Sequence, residues 1–302
     1  MLFITFWKNL KIGTKFNLLL MVIFVVGISF SGAALSSVLQ QKAQDEIVSK
    51  ASTLMQTANS VRNYTQDHIN PLLIPRLGTE AEFIPEAIPT FSVREVFEIF
   101  RKSEDYKDFF YKDAALNPTN LRDKADPFET KLVENFRSNS ELKEVSGFRN
   151  FPEGKLFYIA RPFAITQQKC LQCHSTIDIA PKSLLATYGR DHGFGWKLNE
   201  IVAAQIVSVP AEAVFASAHR SFALVMGLLM GIFALIILLI NFLLRKTVIQ
   251  RIQKISKTAQ AVSTGDMEAT FTENSQDEIG SLAIAFNRMK SSLEVAMRLL
   301  KK

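Results

Sequence analysis

The sequence predicts a membrane protein that carries an α+β domain on one side of the membrane and a helical segment on the other. Two apolar runs without a charged residue, at residues 16–41 and 221–244, are each long enough to cross about 30 Å of hydrocarbon as a helix. Between them, residues 42–219 combine helix-type and strand-type apolar patterns, which is typical of an α+β domain. After the second run, apolar residues recur at alternating steps of three and four, which favours helices that pack in a bundle.

The charges beside the two apolar runs predict how the chain is oriented. Positively charged flanks stay on the cytoplasmic side of a membrane. Such flanks precede the first run and follow the second, so both chain ends, including residues 1–15, are predicted to be cytoplasmic and residues 42–219 extracytoplasmic. The flanking residues are Lys8, Lys11 and Lys15 before the first run, and Arg245, Lys246, Arg251, Lys254 and Lys257 after the second. The alternative for the first run is a cleaved signal peptide, with Ser31-Gly32-Ala33 as its cleavage site.

The net charge of +6 gives no indication of a nucleic-acid partner. Most of the excess lies in the membrane flanks, and the sequence has no basic patch interleaved with aromatic side chains. The membrane is the partner that this charge distribution indicates.

Residues 36–64 carry a helical pattern that follows directly on the first apolar run. Their apolar side chains recur at steps of three and four residues, which predicts a helix that leaves the membrane without a break. Asn70-Pro71 and Ile74-Pro75 are predicted to end this helix, because proline lacks a backbone donor and disfavours helix in the residue before it.

The remainder of the extracytoplasmic domain is predicted to contain helices followed by strands. One helix is predicted to begin at Ser92, with the serine as its cap and Glu95 three residues later, and another covers residues 128–136. The aromatic and β-branched runs at residues 155–162 and 201–210 predict two strands. The connection between these strands holds the most specific motif of the chain.

That motif is Cys170-Leu171-Gln172-Cys173-His174, and it contains both cysteines of the 302-residue sequence. At the spacing Cys-x-x-Cys-His, two thiols add to the vinyl groups of haem while the histidine ligates the iron. The motif therefore predicts one covalently attached haem c, with Cys170 and Cys173 as the thioether residues and His174 as the proximal iron ligand. The alternatives are a redox dithiol or disulfide and half of a zinc site. Zinc would need a second Cys/His pair, and none follows at the usual spacing.

The sixth iron ligand decides what such a haem can do. A strong second ligand gives a redox switch, whereas an open position can bind O₂, NO or CO. His68 is the possible distal ligand that the sequence favours, ahead of His192 and Met55, although an ordinary surface histidine is the alternative for each histidine. His219 lies at the edge of the second apolar run and is expected to be structural.

Three further side chains are candidates for the haem environment. Arg161 is a candidate partner for a haem propionate, because guanidinium and carboxylate groups match in a bidentate geometry. A plain surface arginine is the alternative. Tyr158 and Trp196 are candidate pocket residues, with aromatic core as the alternative for both.

The segment after the second apolar run predicts two short helices around a connector. Apolar residues step by three and four from Ile252 to Val262 and again from Ile279 to Leu300, so both helices are expected to pack against partners. Gly265-Asp266 is predicted to end the first helix and Asp277-Glu278 to begin the second, where carboxylates meet the positive end of the helix dipole. A tail that lies on the membrane surface is the alternative.

Residues 245–295 resemble a HAMP linker, followed by a C-terminal helix extension at residues 296–302. The matching motifs are Gly265-Asp266 and Asp277-Glu-Ile-Gly280, followed by Leu282, Phe286, Asn287 and Met289. One departure is that Arg251 stands where the first HAMP helix usually begins with proline. The resemblance implies a homodimer through a parallel four-helix bundle. Since the sequence ends at Lys302 without a kinase, cyclase or methyl-accepting segment, a separate output protein such as a histidine kinase is expected.

The extracytoplasmic segment resembles a family of PAS-like c-type haem sensor domains from cyanobacteria and other bacteria. The matching stretches are Tyr158-Ile-Ala-Arg-Pro162, Cys170-Leu-Gln-Cys-His174, Tyr188-Gly189 with Gly193-Phe-Gly-Trp196, and Gln205-Ile-Val-Ser-Val-Pro210. The resemblance implies a PAS-like fold, a role as a redox or gas sensor, and a place in the bacterial inner membrane or the thylakoid.

The sequence hypothesis is therefore a receptor without enzymatic activity, in which a change of the haem iron passes through the second membrane helix and the HAMP linker to another protein. The main alternative is a membrane-anchored monohaem cytochrome that carries electrons, which accounts for the haem but gives the tail no purpose. A small-molecule receptor with a structural haem is a further alternative. Peroxidase chemistry is the least favoured, because no distal His/Arg acid–base pair is identified.

Overall fold

The chain divides into two compact units in the computed structural model. One unit is Ser37–Arg220, and the other combines Met1–Ser36 with Ser221–Lys302. The structure describes residues 7–8, 10–151, 154–272 and 275–300.

The unit Ser37–Arg220 is built from helices around one antiparallel sheet. Its helices are the C-terminal part of α1 (Ile12–Tyr64), α2 (Asn70–Leu77), α3 (Pro89–Phe100), α4 (Pro127–Ser138), α5 (Leu171–His174) and α6 (Lys182–Tyr188). Its strands are β1 (Phe110–Ala115), β2 (Val145–Phe151), β3 (Gly154–Ala164) and β4 (Ile201–Pro210). The strand order is β1-β4-β3-β2 with every neighbouring pair antiparallel, so the predicted mixture of helices and strands is confirmed.

The central strands β3 and β4 are largely apolar because helices cover both faces of the sheet. In β3, Phe157 and Ile159 pack against α1, whereas Tyr158 and Ala160 pack against α4. The α1 residues in the first cluster recur every four positions and so share one helix face. They are Ala43, Ile47, Ala51 and Met55. This packing joins the N-terminal helix to the middle of the sheet.

The prolines after α1 do not stop the helix, contrary to the prediction. The helical path continues through one wide π-helical turn, Thr65–Ile69, into α2. Pro71 lies in the first turn of α2, a position that suits proline, and the wide π-helical turn before it already interrupts the regular α-helical hydrogen bonds. Pro75 lies inside α2, which ends at Leu77.

One further helix boundary and one strand differ from the prediction. The helix α3 begins at Pro89 and not at Ser92, because proline is well suited to the first helical position. The strand β1 was not predicted, since its sequence Phe-Tyr-Lys-Asp-Ala-Ala lacks a clear strand pattern. The predicted helix at residues 128–136 is α4, and the Asp126 side chain caps it in a capping box with Glu129.

The second unit contains the two helical runs that are apolar enough to cross a membrane. The first begins at Ile12 in α1, and the second is α7 (Glu212–Leu244), which starts in the other unit. The Phe24 and Phe233 rings of the two runs meet edge-on at 5.2 Å between centroids. After α7, the π-helical turn Arg245–Ile249 leads into α8 (Gln250–Ser263), and α9 (Glu278–Leu300) follows a connector.

The connector between α8 and α9 packs onto both helices through one aromatic residue. Phe271 is buried, its ring stacks on that of Phe286 at 5.1 Å, and the Asn287 side chain bonds both the N–H and the C=O of Phe271. Gly265 ends α8 at a φ of +105°, as predicted for that break. The Asp277 carboxylate accepts the N–H of Gly280 at 2.9 Å, which caps α9.

Candidate functional site

A cavity of about 270 Å³ lies at one end of the sheet in the unit Ser37–Arg220. Its wall comes from the end of α1, from α2 and α3, from the ends of β1 and β3, from the start of β4, and from the segment around the Cys-x-x-Cys-His motif. Cys170, Cys173 and His174 all line it. The local fold thus brings the three reactive side chains of the motif to one concave surface.

The backbone of the motif is a tight turn followed by one short helix. A 3₁₀ turn at Gln168–Cys170 leads into α5, and both cysteines are half-buried free thiols. Burial raises the pKa of both thiols above the ordinary value. A redox dithiol depends on a lowered pKa, so these surroundings do not favour the thioredoxin-type alternative.

The imidazole of His174 is held in one orientation mainly by Trp196 and Gly193, and the Thr119 hydroxyl lies farther away, 3.4 Å from Nδ1. Its ring stacks on the Trp196 indole at 4.1 Å and 16°, and its Nδ1 lies 2.8 Å from the Gly193 carbonyl oxygen. Because a carbonyl can only accept, Nδ1 carries the proton and donates it, which leaves the lone pair of Nε2 free. Burial lowers the pKa of His174, against a smaller opposing effect of the Gly193 carbonyl. A neutral imidazole with a free Nε2 and a bonded Nδ1–H is the form that ligates a metal.

Gly193 can lie against Thr119, in the position from which its carbonyl meets His174, only because it lacks a side chain. Its φ is +82°, and a Cβ placed on it would lie 2.7 Å from Cα of Thr119. Asn117 holds the same segment, since its Oδ1 accepts the N–H of Gly193 at 3.1 Å and its Nδ2 donates to the carbonyl of Phe194 at 3.0 Å. The loop at residues 117–119 therefore orients the histidine through the backbone of Gly193.

A buried network of charges forms another part of the cavity wall. The Arg62 guanidinium donates to Asp113 Oδ2 at 2.7 Å, to Tyr111 Oη at 2.7 Å and to Thr90 Oγ1 at 2.9 Å. Burial alone would lower the pKa of Arg62, but Asp113 and Tyr111 raise it above the ordinary value. Burial and the Asp113 charge raise the pKa of Tyr111, so its hydroxyl stays protonated and donates to Asp113 Oδ1 at 2.9 Å. The network joins the end of α1 to α3 and β1.

Sequence reasoning missed this network and a second arginine of the cavity wall, Arg94. Arg62 and Asp113 are 51 residues apart, and no local pattern connects them. The one available signal was the position of Arg62, which follows the buried α1 residues Met55 and Ala58 on the same helix face.

Of the predicted site residues, the structure brings together Cys170, Cys173, His174 and Trp196 in the cavity wall. Tyr158 lies instead in the core between β3 and α4, where its ring meets that of Phe128 edge-on at 5.2 Å. The aromatic-core alternative therefore describes Tyr158.

The remaining candidates lie outside the set of residues that line the cavity. His68 is exposed and its ring packs on Tyr64 at 5.1 Å, while Arg161 pairs with Glu144 at 2.9 Å. Met55 is fully buried against the sheet, His192 is exposed, and His219 bonds the Phe215 carbonyl at 2.8 Å. The roles assigned to His68 and Arg161 stay predictions of the sequence.

The described part of the chain holds no group of three or more His, Cys, Asp or Glu side chains that could bind a metal ion together. A four-ligand zinc site is therefore not assembled around the two cysteines by those residues. The donor set fits a haem better, since a haem needs two thiols and one imidazole from the chain and brings its own four nitrogens. The largely hydrophobic wall and the free Nε2 of His174 agree with that fit.

Comparison with known families defines the class of protein. The sequence profile of the Tll0287-like family, described as Tll0287, matches residues 40–210, and that of the HAMP domain matches residues 243–295. The first match covers more than half of the chain, so the chain belongs to the Tll0287-like family, a family of haem proteins. The predicted combination of a haem-protein domain with a HAMP linker is confirmed.

One solved structure that the search matched is that of the cyanobacterial haem protein Tll0287. It is 17% identical to this chain, the match covers 55% of this chain and 95% of that one, and the TM-score is 0.39. A search among curated proteins found no match.

Proposed function

We propose that this protein is a membrane-bound, haem-based sensor whose haem c is attached through Cys170 and Cys173, with His174 as the proximal iron ligand. One observation carries the proposal. Both thiols and the imidazole line the same cavity, and the Nδ1–H of His174 is committed to Gly193 so that Nε2 is free for iron. The family membership of residues 40–210 supports the same cofactor.

When bound, the haem supplies an iron centre that can change its oxidation state and its axial ligation. The chain itself attaches the porphyrin, orients the histidine through Trp196 and Gly193, and shields the site with a largely hydrophobic wall. Whether the stimulus is redox state or a diatomic gas depends on the sixth ligand. Among the described residues that line the cavity, His174 is the single histidine and no methionine is present, so a second histidine or a methionine ligand would have to come from outside this wall.

The proposed topology places the haem domain outside the cytoplasm. Basic residues flank the apolar parts of α1 and α7 on the side of the chain ends, which supports cytoplasmic termini in the bacterial inner membrane or the thylakoid. The single antiparallel sheet, with helices on both faces, supports a PAS-like description of the domain.

The HAMP domain gives the protein a route to a partner. HAMP domains typically mediate dimerisation and signalling to output domains, so we propose a homodimer that acts on a separate signalling protein such as a histidine kinase, without catalytic activity of its own. A change at the haem would bias the bundle between two packings by its differential interaction with them.

The cofactor is tested by producing the full-length protein in a host that matures c-type cytochromes. We expect the mass of the purified chain to exceed that of its amino acids by one haem, and the absorption spectrum to change on reduction. Cys170→Ser with Cys173→Ser should abolish the covalent mass gain, and His174→Ala should alter the spectrum. His192→Ala is the matched control, because His192 is exposed and does not line the cavity. A colourless wild-type protein of unmodified mass would refute the proposal.

The alternative function, electron transfer, is separated from sensing by deletion of residues 245–302. An electron carrier needs only its haem domain and anchor, so it should keep its electron-transfer rate after the deletion. A sensor should keep its haem spectrum but lose every effect on the output protein.

A further inference from the structure

Two arginines are present among the described residues that line the cavity, and they differ in how their guanidinium groups are bound. Arg62 makes hydrogen bonds to an acid, a phenol and a hydroxyl, so its donors have partners. Arg94 on α3 is almost as buried, with a side chain 13% exposed, yet its Nε has no hydrogen-bond partner among the described residues. A buried donor without an acceptor is unfavourable, and a charged one more so.

The acids closest to Arg94 do not compensate for this. Asp123 Oδ2 lies 3.7 Å from Nη1 and Glu95 Oε1 lies 3.8 Å from Nε, and both distances are too long for hydrogen bonds. Burial raises the pKa of Asp123, although the Arg94 charge opposes the rise, so this carboxylate is itself poorly stabilised. The Phe91 ring lies 5.1 Å from the guanidinium carbon and keeps water from one face of it.

We propose that Arg94 is the binding residue for a carboxylate that enters the cavity. A guanidinium offers two parallel N–H groups that match the two oxygens of a carboxylate, and this pairing is strongest where water is excluded. The carboxylate has two possible sources. One is a propionate side chain of the haem, in which case the inference rests on the proposed function, and the other is a small organic acid from solvent.

The position of Arg94 suits either source. It lines the same cavity as Cys170, Cys173 and His174, although it lies 76 or more positions earlier in the sequence and on a different element. The cavity wall contains one further basic side chain among the described residues, Lys169, and that lysine donates to the Gln66 carbonyl at 3.1 Å. Of these three cations, Arg94 is the one with a buried nitrogen, Nε, that has no acceptor among the described residues.

The test compares Arg94→Gln and Arg94→Lys with the control Arg122→Gln in the full-length protein. Arg122 has the same charge, but its side chain is 51% exposed and does not line the cavity. Two measurements are made on each variant: the vibrational bands of the haem propionates, and a calorimetric titration with free propionate ion. Mass spectrometry shows in each sample whether haem is attached.

If the haem supplies the carboxylate, Arg94→Gln shifts a propionate band, Arg94→Lys shifts it less, and Arg122→Gln leaves it unchanged. If the ligand comes from solvent, the wild type binds propionate ion and Arg94→Gln weakens that binding roughly 10- to 100-fold, the size expected for charge-assisted hydrogen bonds. Should Arg94→Gln fail to fold, the Arg94→Lys variant decides both comparisons, because it keeps the charge and loses the paired donors.

The two proposals can fail separately. Protein without haem that still binds propionate through Arg94 would contradict the proposed function and keep this inference. Haem-loaded protein whose propionate bands and propionate-ion binding are the same in wild type and both Arg94 variants would overturn this inference alone.

Discussion

Arg251 and Asp277 form an ion pair that joins the first turn of α8 to the residue that caps α9, with Nη1 and Oδ2 2.6 Å apart. Arg251 stands where the resemblance to HAMP linkers leads one to expect a proline. Proline would set the backbone at the start of α8, whereas the arginine side chain ties the two helix starts together. In this chain the ion pair between Arg251 and Asp277 holds the start of α8 beside the start of α9.

This ion pair makes the stability of the HAMP domain depend on acid and salt. The Asp277 carboxylate accepts hydrogen bonds from Arg251, Ser275 and the Gly280 N–H, and these bonds lower its pKa well below the usual range. A carboxyl group with a lowered folded-state pKa stabilises the fold above its unfolded pKa of about 3.9, and that contribution is lost as the pH falls toward the folded value. We expect Asp277→Asn to lower the melting temperature at neutral pH and to reduce its further drop below pH 4.

The measurement is thermal unfolding of the full chain in detergent, followed by helical circular dichroism at several pH values and salt concentrations. Glu294→Gln is the control, because Glu294 forms an ordinary pair with Lys290 within α9. Equal melting temperatures for Asp277→Asn and Glu294→Gln at all pH values would contradict the role given to Arg251.

The buried pair Arg62–Asp113 should be the most costly ion pair to break in the haem domain. Both side chains are at most 10% exposed, so removing one leaves the other charged and without its counter-ion. We expect Arg62→Gln and Asp113→Asn each to lower the free energy of unfolding by about 3–5 kcal/mol. The double variant should cost less than the sum of the two, because neither charge is then left alone.

Urea unfolding of wild type, both single variants and the double variant gives this cycle. Arg161→Gln is the matched control, since Arg161 pairs with Glu144 on the partly exposed edge of the domain and should cost about 0–1 kcal/mol. Additive effects of the two changes at Arg62 and Asp113 would show that the pair does not act as a unit.

A comparison of alanine variants at Gly193 and Gly195 separates two effects: loss of the contact between Gly193 and His174, and backbone strain. Both have positive φ values, +82° and +80°, so alanine is strained at either position. Only at Gly193 would the new Cβ also collide with Thr119, while nothing lies within 4 Å of the Cβ position at Gly195. Gly195→Ala should therefore cost roughly 1–3 kcal/mol from strain, and Gly193→Ala should cost more.

The spectrum supplies the second readout for this pair of variants. Because the Gly193 carbonyl accepts from Nδ1 of His174, Gly193→Ala should also change the haem absorption spectrum, whereas Gly195→Ala should leave it unchanged. Identical spectra for the two variants would mean that the Gly193 carbonyl does not control the histidine.

The sequence was most informative where the chemistry is local. The thiols and imidazole of residues 170–174 lie within five positions, so their meeting in one wall follows from a single turn and a short helix. The ends of α8 and α9 were also predictable, because Gly265 and Asp277 act on their own neighbours. Helix periodicity and capping carry such information within a few residues.

The rest of the site depends on contacts between distant parts of the chain. Arg62 meets Asp113 only because the sheet packs on α1, and Arg94 reaches the cavity only because α3 forms part of its wall. The prolines after α1 predicted that the helix would end there, yet the helical path continues through one wide turn at Thr65–Ile69. Tertiary packing selects between such local solutions, and no short pattern reports it.

The exposed apolar seam of α9 predicts where two copies of the chain meet. Met289 is 59% exposed and Leu293 is 45% exposed, and both belong to the run of three- and four-residue steps that suits a helical bundle. A cysteine at either position should form a disulfide between copies under mild oxidation. Ser291→Cys is the control, because Ser291 lies off the seam on the same helix.

If the haem domain transmits its state to this bundle, the crosslinking yield at Met289 and Leu293 should differ between reduced and oxidised haem. Two packings of one bundle place the same pair of positions at different separations, and a short crosslinker joins two cysteines only when they lie within its span. An oxidant that forms disulfides would also oxidise the haem. Each variant is therefore crosslinked with a thiol-specific reagent after the haem has been poised chemically. A dimer whose yields are unchanged by the state of the haem would leave an anchored haem protein whose bundle does not respond, which would favour the electron carrier over the sensor.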